Sequence, residues 1–202
     1  MSDIQYKSIS QRYEHLLNVM SSTRFKNKEG LGNEVPFFIC PFKPKETVEV
    51  QKLYHQLTNK LTQLGTPVLE VNLYDLAIKI LKDNDDWDYY LDEETGMSKD
   101  RFKEELQSIL DIETVFTPAI KEMMKNSDFD IMFLTGVGEV FPYIRSHNIL
   151  NNLQKIAKEK PTVMFFPGDY RYSLESGASL ELFEKLRDDK YYRAFNIFHY
   201  EV

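Results

Sequence analysis

One cysteine in 202 residues leaves Cys40 without an internal partner, so no disulfide frames the fold and the reducing cytoplasm is the expected setting. Long apolar runs are missing too. Nothing approaches the roughly 20 residues that a membrane-spanning helix needs, and the polar opening Met1 to Ser10 lacks the apolar centre of a secretory signal. Basic charge is in short supply, with 25 Lys and Arg against 32 Asp and Glu and a formal net charge of -7. That balance excludes broad coating of DNA, which needs many cations near phosphates, and direct DNA contact is not expected. Histidine is sparse: His15, His55, His147 and His199 are scattered, with no pair at ligand spacing and no cysteine cluster, so no metal is expected. Asp83, Asp85, Asp86 and Asp88 lack the glycine and closing glutamate of a calcium loop and read as solvated surface around Trp87.

What the chain does have is the material for a core. Hydrophobic residues make up 42% and aromatic residues 13%, far from the composition of a disordered chain. The length suits one domain, residues 1–202, with an N-terminal helix over about residues 4–21 packed on it. Ile9, Tyr13, Leu16, Leu17 and Met20 give that helix its apolar stripe. Pro36 to Cys40 predicts a buried strand, and Val50 to Leu64 a long helix closed by Gly65. Pro67 to Leu73 predicts a second strand, followed by a short helix over Tyr74–Leu81. Ser98 is the expected cap of a helix carrying Phe102, Leu106 and Ile109. Thr117-Pro118 reads as a cap and first helical position, which breaks residues 99–126 into two helices. Asp130 to Thr135 predicts a third strand and Thr162 to Phe166 a fourth, with a helix through Ile149–Ala157 between them. A short helix near Leu180–Leu186 and a fifth strand at Ala194–Phe198 complete the reading. Strands alternating with amphipathic helices imply a single-domain α/β fold with a mostly parallel, five-stranded open sheet and helices on both faces, Rossmann-like or akin to a degenerate P-loop domain. Its strand-to-helix loops then share one rim, where open α/β sheets bind ligands.

That rim is poor in catalytic parts. The loop Pro41 to Thr47 has two prolines and no glycine where a P-loop needs glycines, and its Lys45 and Thr47 only echo the required pair. The loop Thr135 to Pro142 carries Gly136 and Gly138, followed by a proline expected to open a helix. Phe141 stands where a dinucleotide fingerprint needs its third glycine, and Glu139 would repel a phosphate. No acidic pair ends the third strand to hold Mg²⁺. Cys40 lies in an apolar run and reads as core rather than nucleophile. Neither enzymatic activity nor a cofactor is expected. The residues on this rim suited to recognition are Gly136, Gly138, Glu139, Phe141, Tyr143, Arg145 and His147, joined by Asp169, Tyr170 and Arg171 of the fourth-strand loop. They mark the expected binding surface, with the acidic segment around Trp87 as the other candidate. Arg145 has a local alternative in pairing with Glu139 or Asp169, and His147 in packing at the helix flank.

The run Phe133-Leu-Thr-Gly-Val-Gly-Glu-Val-Phe-Pro-Tyr-Ile-Arg-Ser-His147, continued by Asn148-Ile-Leu-Asn-Asn-Leu153, closely resembles the BrxB family, a core component of BREX phage-defence systems. Lys160 to Gly168 and Tyr191 to Asn196 are similar to the same family. The resemblance supplies context and no catalytic residues. It implies an accessory subunit beside a site-specific adenine methyltransferase, an AAA-type ATPase and PglZ, a protein of the alkaline-phosphatase superfamily. PglZ is then the first expected partner, with contacts to the ATPase or methyltransferase also in view. Two readings follow: an interaction subunit that supports host methylation and phage restriction, or a degenerate domain that binds or senses a nucleotide.

Overall fold

The computed structural model describes residues 4–29, 36–173, 177–188 and 194–201. Helix α1 (Ile9–Ser21) starts at Ser8, whose hydroxyl accepts from the Gln11 amide while the Gln11 side chain returns to Ser8. This reciprocal cap satisfies two amides that the helix leaves open. A short helix α2 (Thr23–Lys26) follows, then strand β1 (Phe37–Phe42) and helix α3 (Thr47–Gln63). Strand β2 (Val68–Asn72) runs directly into helix α4 (Leu73–Asp83), because the Asn72 carboxamide oxygen accepts from the Tyr74 and Asp75 amides. Helices α5 (Trp87–Glu93) and α6 (Lys99–Ile109) come next, the latter capped by Ser98 as the sequence predicts.

The next boundary differs from the expectation. The chain is already helical at Ile112, in a wide turn over Ile112–Phe116 that leads straight into α7 (Thr117–Lys125). Asp111, rather than Thr117, is the cap. Its carboxylate accepts from the Glu113 and Thr114 amides and from the Thr114 hydroxyl. Thr117 donates five residues back to Ile112, and Pro118 behind it has no N–H to give. The Thr114 hydrogen bonds hold the Asp111 carboxyl below its ordinary range. Its contribution is therefore complete above about pH 4 and lost as the pH falls through the lower folded value. Asp111→Ala is expected to cost about 1 kcal/mol at neutral pH. Urea midpoints of both proteins should converge on acidification; a gap independent of pH would remove the carboxylate from this role.

Strands β3 (Ile131–Thr135), β4 (Thr162–Ser173) and β7 (Phe195–Asn196) complete a parallel sheet in the order β2-β3-β4-β1-β7, with α8 (Ser146–Ile156) between β3 and β4. This is the five-stranded open sheet read from the sequence. Period-2 alternation divides its side chains into two cores. Phe37 and Ile39, Met132 and Leu134, and Met164 and Phe166 face α4 to α8. Phe38 and Cys40, Ile131 and Phe133, and Val163 and Phe165 face α1 to α3. All twelve side chains are buried, which is why the strands read as unbroken apolar runs.

Three further expectations are corrected. Residues 180–186 form a hairpin, not a helix: β4 runs past the parallel sheet and pairs antiparallel with β5 (Gly177–Leu182), which pairs with β6 (Leu186–Asp188). Leu180 and Leu182 are two apart and both buried, a strand period. The turn puts Phe183 and Glu184 at φ 57°, in the left-handed region that joins twisted strands. The last strand is shorter than Ala194–Phe198, because the Asn196 side chain accepts from the Phe198 amide and turns the chain into a helical turn at Ile197–His199. Finally, Pro142 opens no helix. It lies in the turn before α8, follows a cis peptide, and its carbonyl accepts from Gln107.

Candidate functional site

At the carboxyl ends of β1, β3 and β4 the chain leaves the sheet toward both faces, α3 on one and α8 on the other. A crevice of about 290 Å³ opens there between Phe42, Gln51, Tyr54, Gly136, Gly138, Glu139, Pro167 and Phe183. It sits where open α/β sheets hold ligands, and its polar groups are acidic or neutral. Glu139 lines it and accepts from the Gln51 side chain at 3.4 Å. Deeper in, the Thr135 hydroxyl donates to Glu70 at 2.9 Å and also meets the Tyr54 hydroxyl. Burial, with Glu70 and Glu139 nearby, pushes the Tyr54 hydroxyl up to about 12. Two carboxylates, Glu139 in the wall and Glu70 behind it, repel a phosphate rather than bind it.

The two glycines of the β3 loop are explained by close packing. A Cβ at Gly136, whose φ is 69°, would lie 2.3 Å from the Asn72 oxygen that caps α4. A Cβ at Gly138 would meet Phe183 and Pro167 at 2.9 Å. Opposite, the β1 loop is closed on itself. The Thr47 hydroxyl donates to the Pro44 carbonyl at 2.7 Å, and Glu46 holds Arg12 of α1 at 3.1 Å. Arg12 is 4% exposed. Sequence reasoning missed it, although it lies on the same helix stripe as Leu16 and Val19, where an arginine stands out. Burial raises the Cys40 thiol to about 12 despite Arg12 nearby, so it stays protonated.

The ten rim residues named from the sequence fall into separate settings. Gly136, Gly138 and Glu139 line the crevice, and Glu139 with Tyr143 also lines a neighbouring groove. Phe141 is half-buried edge-on to Phe183, and Tyr143 half-buried against Phe102. Tyr170 is buried with its hydroxyl donating to the Ala194 carbonyl at 2.5 Å. His147 is buried at the start of α8. Arg171 is exposed and pairs with Asp169 at 3.2 Å. Arg145 is exposed and forms neither of the ion pairs considered for it among the described residues. The aromatic side chains thus serve the fold first, and the arginines are what the rim offers to solvent.

Residues 69–197, which contain both rim loops, match the family model described as BREX protein BrxB. The chain belongs to the BrxB family. It is similar along almost its whole length to a BREX protein BrxB of Bacillus cereus strain H3081.97, 33% identical over 195 residues that cover 95% of this chain and 98% of the relative. It is also similar to a BREX protein BrxB of Escherichia coli O9:H4 strain HS, 23% identical over 189 residues that cover 94% of this chain and 91% of the relative. No solved structure matches it. This BrxB-family chain is an α/β protein of a phage-defence system, and no helix among its described residues is long and apolar enough to cross a membrane.

Proposed function

We propose that this BrxB-family chain is a non-catalytic interaction subunit that supports both host DNA methylation and phage restriction, with PglZ as its first partner and the ATPase or methyltransferase as further contacts. The observation that carries this reading is the state of the switch-point crevice. Its phosphate-facing parts are turned to structural use: Thr47 to Pro44, Glu46 to Arg12, Gly136 to the Asn72 cap. Glu139 adds negative charge where a nucleotide would need positive.

The rival reading, a domain that binds or senses a nucleotide, draws its support from the position of that crevice in the sheet. Ligand binding separates the two. A nucleotide at about 100 times its Kd would stabilise the fold by about 2.7 kcal/mol, roughly 5–10 °C in Tm for a chain of this size. We expect ATP and GTP with Mg²⁺ to leave the Tm unmoved and phosphate release to stay at background. A shift that disappears in Lys45→Ala would establish the rival reading instead.

A further inference from the structure

Beside the crevice, a second cavity of about 250 Å³ runs between α4, α5, α6 and the β3–α8 turn. Its walls are apolar and aromatic: Tyr74 and Ile78 from α4, Trp87 and Leu91 from α5, Phe102 from α6, and Tyr143 from the turn. Leu91 is 51% exposed and Tyr74 45%. Large side chains that shelter one another inside a core would be covered, so this surface is unfilled. Its border is strongly acidic. The segment 83–94 carries seven carboxylates, Asp83, Asp85, Asp86, Asp88, Asp92, Glu93 and Glu94, and no basic residue. Among the described residues, Asp83 pairs with Lys79, and the other six have no ion pair. Glu94 and Glu139 enter the groove itself, and Glu94 acts with burial to raise the Tyr143 hydroxyl. Two of the three basic residues of α6 are committed elsewhere, Arg101 to Glu105 and Lys103 to Asp100.

We infer that this groove docks a basic amphipathic helix of a partner protein, its apolar anchors seated between Trp87, Leu91 and Tyr143 and its Lys and Arg residues set against the carboxylates of 83–94. The inference rests on the interaction-subunit reading and names the surface and the chemistry of the partner. Three features select that occupant. The walls are helices and offer no free strand edge, so a helix laid in the groove is the fitting mode, with anchors three and four residues apart. Unpaired carboxylates around an apolar floor complement cationic side chains and repel the phosphates of nucleic acid and of anionic lipid alike. The Lys82 ammonium, over the Trp87 ring at 5.3 Å from its centre, already fills the cation position there, so a partner's cations are left to the carboxylates.

The test uses the whole chain, tagged, in cells expressing the complete defence cluster. Captured proteins are quantified, and a carbodiimide joins carboxylates directly to any lysine in contact. We expect Asp88 or Glu94 to be linked to lysines of one Lys- and Arg-rich amphipathic segment of a cluster protein. Capture should fall about tenfold or more in Leu91→Ala and in Asp88→Lys with Glu94→Lys, and should weaken with added salt. These sites are exposed, so melting temperatures should stay near the parent. Lys121→Ala, exposed on α7 and outside the groove, should capture normally. If the parent captures its partner and the groove variants do so equally well, the groove is overturned while the interaction reading stands. If the parent captures no cluster protein, that reading itself falls. Links from these carboxylates to a second copy of this chain would replace the proposal with self-association.

Discussion

In a host carrying the complete BREX cluster, deletion of this chain is expected to return phage plating to the level of an undefended host and to erase host adenine methylation. Lys45→Ala is expected to leave both unchanged. The first outcome follows from the way a holding subunit works. It adds no chemistry, but it turns encounters between enzymes into encounters within one assembly, and that local concentration vanishes with it. The second follows from the β1–α3 turn. Lys45 is exposed on a loop whose neighbouring Thr47 and Glu46 are tied to Pro44 and Arg12, so it has no phosphate cradle to complete. Plating efficiency and sequencing of methylated adenines, read in the same strains, decide the matter. Restriction and methylation that both survive the deletion would remove the proposed role. Loss of either in Lys45→Ala would bring back a nucleotide.

The parallel sheet was legible because a strand buried on both faces must be apolar throughout. Phe37 to Phe42, Ile131 to Thr135 and Thr162 to Phe166 stand out for that reason, and amphipathic helices between them dictate parallel pairing. The hairpin was not legible on the same grounds. It packs one side only, and Leu180, Leu182 and Leu186 fit a helical spacing about as well as a strand period. What separates the two is the pair of left-handed residues at Phe183 and Glu184, and neither residue type announces that conformation. The terminal strand was cut short by one side chain, Asn196, acting as a cap.

The rim was legible in position and less so in composition. Its loops lie together because the sheet is parallel, and His147 packs at the helix flank as its position allowed, yet burial of Tyr170 depends on long-range packing that no local pattern encodes. The groove was divided in the sequence among α4, α5, α6 and the β3–α8 turn, from Tyr74 to Tyr143. The acidic run around Trp87 pointed toward it, as did Glu139 and Tyr143 from the rim.

Among the glycines whose surroundings are described, Gly168→Ala is expected to be the most damaging. A Cβ there would stand 2.1 Å from the Glu181 carbonyl oxygen, which belongs to the β5 backbone and cannot rotate away. Relief requires pulling β5 from β4 at the Gly168–Leu182 pair, where the parallel sheet passes into the hairpin. Overpacking of this kind costs about 3 kcal/mol, or roughly 6–12 °C in Tm for a domain of about 200 residues. Gly136→Ala should cost less, because its obstacle is the Asn72 side chain. Asn72 can swing aside by surrendering the α4 cap, about 1 kcal/mol, to which the left-handed backbone adds about as much again. In an Asn72→Ala background the cap is already gone, so the two losses should sum to less than their separate values. Gly96→Ala is the control, since its nearest neighbour would be the Glu93 carbonyl oxygen at 3.7 Å, an ordinary contact. Thermal melts of the three alanine variants should therefore rank Gly168 lowest, Gly136 between, and Gly96 beside the parent. A Gly168→Ala protein that melts with Gly96→Ala would mean that β5 does not lie against β4 as described, and the wall that Phe183 gives the switch-point crevice would go with it.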